Sequence, residues 1–194
     1  MRVLLRLPLI VLMAAVLAGC AQKAQTVRLA PAPELAEAEV LGGARRVALE
    51  VLDRREQTAL GELQNHNKPA APITSEQPLE YVMQLAAADA ISAWGFRPAI
   101  WDDEAERRLV IEVLTLRHTV DASLPHDTET VVELGLRAFQ GGRTMQAKAS
   151  ARSSDRLVAL SASAEESAQA INRTVAKAME RLFDRRLAAF LAGE

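Results

Sequence analysis

The chain contains one cysteine, Cys20, and no intramolecular disulfide can support its fold. Any stable domain must therefore come from packing alone. The chain has the material for that: 194 residues, 49% hydrophobic and 25% charged. This is an ordinary balance for one globular domain with a sizeable core. The formal charge is −2. It gives no basic face of the kind that nucleic-acid phosphates or a polybasic membrane contact require.

The position of Cys20 accounts for its solitude. Arg2 and Arg6 precede an apolar run from Leu7 to Leu17, broken only by Pro8. The run is too short to span a membrane and has the length of the apolar region of an export signal. Leu17, Ala18, Gly19 and Cys20 then resemble the bacterial lipobox, in which small residues precede a cysteine whose thiolate accepts a diacylglycerol. Residues 1–19 read as the signal and Cys20 as the lipid-bearing first residue of the mature chain. Losing Arg2 and Arg6 takes the formal charge to −4. A diacylglycerol with a third acyl chain exceeds what stable membrane anchoring needs. Ala21 follows, and resemblance to sorted lipoproteins implies delivery to the periplasmic face of the outer membrane. Residues 20–44, rich in Ala, Pro and Glu, read as a flexible tether that holds a domain clear of the headgroups. Residues 45–194 read as a single periplasmic domain.

Within that domain, Arg46 to Leu52 alternates as a half-buried strand. From Gln57 to Gln77 no period holds, and Gly61, Pro69 and Pro72 mark a long loop. Pro78 opens a helix with Leu79, Val82, Met83, Ala86, Ala90 and Trp94 on one face, closed by Gly95 and Phe96. Arg97 to Trp101 reads as a short strand and Arg107 to Val120 as a long one. Thr130 to Gln140 alternates cleanly. Gly141-Gly142 suits a two-residue hairpin turn, and Met145, Ala147, Ala149 and Ala151 face inward beyond it. Ser163 and Glu166 form a capping box for a last helix, with its apolar stripe running to Phe190. Arg185 and Arg186 then fall near its C-terminal end. The expected fold is α+β: a two-layer sandwich with a mixed or antiparallel sheet of about four to five strands and two helices on one face.

Several local patterns together suggest a family. They are the lipobox, Val51-Leu52-Asp53-Arg54-Arg55, Leu60-Gly61, Ala71-Pro72-Ile73, and a helix closing on Gly95-Phe96. In this order they resemble the YajG family of uncharacterised bacterial lipoproteins across nearly the whole chain. The resemblance implies an outer-membrane-anchored periplasmic domain and no particular activity.

No catalytic set stands out, and no cofactor-binding pattern is present. His66, His118 and His126 lack metal-ligand spacing. His118 and His126 flank a turn, and solvated turn residues are the expected reading. The best candidate binding site is Asp53, Arg54 and Arg55 at a strand end beside the long loop. The alternative is an Asp53–Arg55 structural pair that pins that loop. A second candidate is the outer face of the hairpin, with Glu133, Arg137, Thr144, Gln146 and Lys148, where an envelope protein partner would bind. Trp94, Phe96 and Trp101 are expected mainly in the core. Asp102, Asp103, Glu104 and Glu106 read as an acidic surface turn. The leading functional expectation is a non-catalytic binding or accessory module of the cell envelope. The alternative is an envelope glycan hydrolase using Asp53 with Asp102 or Glu104.

Overall fold

The computed structural model describes residues 23–35, 40–65, 68–121, 125–157 and 163–194. Leu17, Ala18, Gly19, Cys20 and His66 lie outside these. The order is β1 (Gln25–Val27), β2 (Arg46–Asp53), β3 (Gly61–Asn65), β4 (Lys68–Ser75), α1 (Leu79–Ala93), β5 (Arg97–Ala99), β6 (Arg107–Asp121), β7 (His126–Gln140), β8 (Arg143–Leu157), α2 (Ala164–Leu182) and α3 (Arg185–Ala192).

The spine is β6, a 15-residue strand rich in Val, Ile, Leu and Thr, residue types that suit a pleated, buried surface. One of its edges pairs with β7 along nearly its whole length. Its other edge is divided. β2 pairs with Arg108 to Val113, and β3 pairs with His118 to Asp121. β5 lies beyond β2, β4 and β1 lie beyond β3, and β8 lies beyond β7, giving one eight-stranded sheet. A bulge between Val113 and Thr115 interrupts the β6–β7 register. Such an extra residue re-aims the strand. Leu109, Ile111 and Val113 are buried before it, and Leu116, His118 and Val120 after it.

The helices cover the inner face. α1 packs on β2 and β5, α3 on β7, and α2 on β7, β8 and β1. Since β8 and β1 stand at opposite sides of the sheet yet share α2, the sheet curls around that helix. α1 begins after Pro78 and ends in a Schellman arrangement. Gly95, at φ 79°, donates to the Ser92 carbonyl, and Phe96 donates to that of Ile91. Trp94 at this end meets Phe183 with ring centroids 5.7 Å apart, which joins the two helical halves of a single core. The Gly141-Gly142 turn has φ of 54° and 81°, both positive as a type I′ hairpin requires.

Among the described residues the sheet has eight strands where four to five are expected, and the helices are three, not two. Residues 57–77, expected as a loop, contain β3 and β4. The prolines of β4 are tolerated because of where they fall. The Ile73 carbonyl accepts from Leu60 toward β3, so the polar groups of Pro72 face the other edge. On that edge β1 begins to pair only at Ile73, one residue later. The missing N–H of Pro72 therefore costs no ladder bond.

The expected tether is also partly folded. Gln25–Val27 pairs with β4, Val27 and Leu29 are buried, and Ala30 donates to Asn172 Oδ1 of α2 at 2.9 Å. The single last helix is broken. Phe183 leaves helical geometry at φ −89° and ψ 68°, and Asp184 caps α3 by accepting from the Leu187 N–H at 2.9 Å. Arg185 and Arg186 thus open α3 and do not complement a helix C-terminus.

The close approach of β3 to β6 at Gly61 gives a direct test. A Cβ at Gly61 would lie 1.7 Å from the His118 carbonyl oxygen. Gly61→Ala is expected to lower stability by about 3 kcal/mol, measured by urea denaturation. An unchanged midpoint would refute the β3–β6 contact described here.

Candidate functional site

Between the end of β2 and the start of β3, residues 54–60 cross a gap in the sheet. Arg54 N–H bonds to the Val113 carbonyl at 3.0 Å, and His118 N–H bonds to that of Leu60 at 2.9 Å. Between these bonds, Leu114 to Arg117 have no strand neighbour on this edge of β6. The bulge falls in the same stretch. The result is a groove of about 790 Å³, with Leu60, Pro72 and Leu114 among its apolar walls and Arg54, Glu62 and Arg117 among its polar ones.

The three sequence-selected residues here do different work. Asp53 and Arg55 hold each other in a fork, with Nε to Oδ1 at 2.8 Å and a terminal guanidinium nitrogen to Oδ2 at 2.7 Å. Another guanidinium nitrogen of Arg55 donates to the Ala59 carbonyl at 3.0 Å. The pair is nearly buried and pins the 54–60 crossing. Burial alone would push the Asp53 carboxyl up, but the hydrogen bonds and charge of Arg55 bring it below its ordinary value. Arg54 is different. Its side chain is 52% exposed and reaches Glu112 only at 3.4 Å. Glu112 is shared with Arg137 at 3.1 Å, so one carboxylate answers two guanidinium groups. Arg117 is exposed and has no ion pair among the described residues.

A second, smaller pocket of about 220 Å³ lies under the N-terminal half of α2. The polar residues buried in the described structure are His118, His126, Thr128, Thr130, Ser167 and Thr174. They belong to β6, β7 and α2. His118 Nδ1 bonds with Thr130 Oγ1 at 2.8 Å, and His118 Nε2 has no partner among the described residues. Burial pushes the His118 imidazolium down to about 4, so the ring is neutral near pH 7. His126 is also buried, with Nδ1 3.1 Å from the Asp121 carbonyl oxygen. The expectation of two solvated turn histidines fails because β6 and β7 extend further than their alternating cores. The signal was available: after the bulge, Leu116, His118 and Val120 share one parity.

Other candidates do not converge. Ala48 pairs with Ala99, and Asp53 lies five residues farther along β2. That is about 17 Å of strand, and Asp102 and Glu104 follow Ala99 at the far end. Paired glycosidase carboxyls stand closer, about 5–10 Å apart. Trp94 and Phe96 are core residues, and half-exposed Trp101 bonds to Asp103. On the hairpin's outer face, Lys148 pairs with Glu133 at 3.7 Å and Arg152 with Glu129 at 2.6 Å. Gln146 and Thr144 are exposed. Among the described residues, no three His, Cys, Asp or Glu side chains gather as a metal site requires, and no helix is long and apolar enough to cross a membrane.

Buried His118 and half-buried Asp53 make stability depend on pH, in separate windows. His118 has a depressed folded value. The unfolded chain therefore takes up a proton first, and stability falls as pH drops from 6.5 to about 4. The expected loss is about 3 kcal/mol in urea denaturation, at 1.36 kcal/mol per unit, and His118→Gln should remove that step. Equal slopes in both proteins would refute it. The Asp53 contribution is whole above 3.8, its ordinary value, and fades at lower pH as the carboxyl protonates. Asp53→Asn should cost about 3 kcal/mol at pH 7 and flatten the acid limb below pH 3.8.

No curated protein matches the chain by sequence. Among solved structures, protein XCC0632 from Xanthomonas campestris is similar at 12% identity and TM-score 0.44, covering 90% of this chain and 96% of that one. The hypothetical protein CT253 from Chlamydia trachomatis is similar at 13% identity and TM-score 0.39, covering 77% and 96%. A PelC dodecamer from Paraburkholderia phytofirmans gives 17% identity and TM-score 0.35, covering 80% and 94%. These likenesses are too loose to bear on activity or assembly. The family model described as "Uncharacterized lipoprotein" matches residues 31–192, most of the chain. The protein therefore belongs to the YajG family of uncharacterised lipoproteins.

Proposed function

We propose that this protein is a non-catalytic binding or accessory module of the cell envelope, anchored through acylated Cys20 to the periplasmic face of the outer membrane. Its partner-binding face is the groove beside Arg54. The observation that carries this reading is the division of labour at the end of β2. Asp53 and Arg55 are spent on each other, whereas Arg54 and Arg117 stand exposed at a groove with apolar walls. Exposed arginines at a groove with mixed polar and apolar walls form a common anchor pattern in protein recognition. Family membership as a lipoprotein supports the anchor. Asp53 does not meet Asp102 or Glu104 as a hydrolase would require.

The test is in-cell photocrosslinking with probes at Arg54, Gln64 and Gln146 of the lipidated protein, followed by mass spectrometry. The expected result is a discrete protein adduct at Arg54 and Gln64 and none at Gln146. Arg117→Glu should reduce the Arg54 adduct about tenfold, the effect of roughly 1.4 kcal/mol. Adducts at Gln146 alone would move the binding face to the hairpin and overturn the groove.

A further inference from the structure

We infer that the domain rests directly on the bilayer, with the end of the sheet that carries Lys68, Asp127 and Arg156 against the lipid headgroups. This rests on the reading of Cys20 as the acylated residue.

The inference comes from chain length and from where the fold begins. β1 starts at Gln25 and is fixed on two sides. It pairs with β4, and Ser167 Oγ of α2 donates to Gln25 Oε1 at 3.1 Å. Val27 is buried, and its carbonyl accepts from the Glu76 N–H at 2.9 Å. Only five residue steps separate Cys20 from this fixed point. Fully extended, they reach about 18 Å.

The direction of that reach follows from the register. β1 runs parallel to β4 with Gln25 opposite Ile73, so the chain before Gln25 leads back toward the start of β4. β4 starts at Lys68, also five residues before Ile73. The available chain thus just reaches the level of Lys68. The same end holds the last residues of β3 and β6 and the first of β7, because Asn65 faces Lys68, Gln64 faces Asp121 and Val120 faces Thr128. β8 finishes there too, with Arg156 opposite Asp127. An acyl group on Cys20 leaves no slack to lift this end away from the membrane. Lys23 and Lys68 are exposed here with no ion pair among the described residues, but two lysines are no polybasic patch, so the short reach from Cys20 and not charge sets the orientation.

The opposite end of the domain is far off. β7 runs from His126 to Gln140, about 48 Å at 3.4 Å per residue. The turn at Gly141 and Gly142 therefore points away from the membrane.

Full-length acylated protein would be reconstituted in phosphatidylethanolamine and phosphatidylglycerol vesicles containing a headgroup spin-labelled lipid. With the Cys20 thiol consumed in the thioether, one introduced cysteine takes the fluorophore. Lys68→Cys and Thr144→Cys place it at the two ends. Intact mass establishes the acylation first. The expected result is quenching at least about fivefold stronger at position 68 than at position 144, as a contact-range quencher demands over such a distance. Acylated protein with equal or reversed quenching would overturn the inference while leaving the anchor intact. A mass without acyl chains would overturn the anchor and, with it, the inference.

Discussion

Strand β6 has backbone partners on both edges, and almost every other strand reaches the core through it. A central strand of 15 residues needs neighbours along its full length, or its buried amides go unpaired. β7 meets that need on one edge. On the other, β2 and β3 each cover part of it, and Leu114 to Arg117 are left between them. The groove is a consequence of this division. The bulge at Leu114 lies in the same stretch, where one edge of the strand is free to bend.

The bulge also decides which side chains enter the core. A strand alternates strictly, so one inserted residue moves everything beyond it to the opposite face. Without it, His118 would face outward with Glu112. With it, His118 joins Thr130 inside and gives the core a polar end beneath α2. The apolar end lies near Trp94 and Phe183. Core composition thus changes along the length of the sheet, from large hydrophobic packing to a hydrogen-bonded cluster that a neutral imidazole can share.

Charges sort by burial in the same way. The buried Asp53–Arg55 fork has defined geometry and fixes a chain crossing, whereas the ion pairs on the outer face, such as Lys148–Glu133, are exposed and weak. The first kind shapes the groove, and the second decorates the outer face of the sheet. Between them stands Arg54, attached loosely to a carboxylate that also serves Arg137.

Local patterns in the sequence determined the elements that carry their own signal. Alternation gave β2, β7 and β8, helical spacing gave α1, and Ser163 with Glu166 gave the start of α2, because each depends on neighbours a few residues away. The pairing of Asp53 with Arg55 was legible as one of two readings for the same reason. Tertiary structure alone decided the rest. β1 is a strand because β4, some fifty residues on, satisfies its backbone, and β4 is held between β1 and the neighbouring β3 although Pro69 and Pro72 argue locally against a strand. α2 and α3 divide because Asp184 caps a new helix inside an unbroken apolar stripe. The burial of His118 follows from a one-residue bulge that the structure locates, although the shared parity of Leu116, His118 and Val120 beyond it can be read in the sequence. Short-range chemistry names the elements, but edges, faces and burial belong to pairings between residues far apart in sequence.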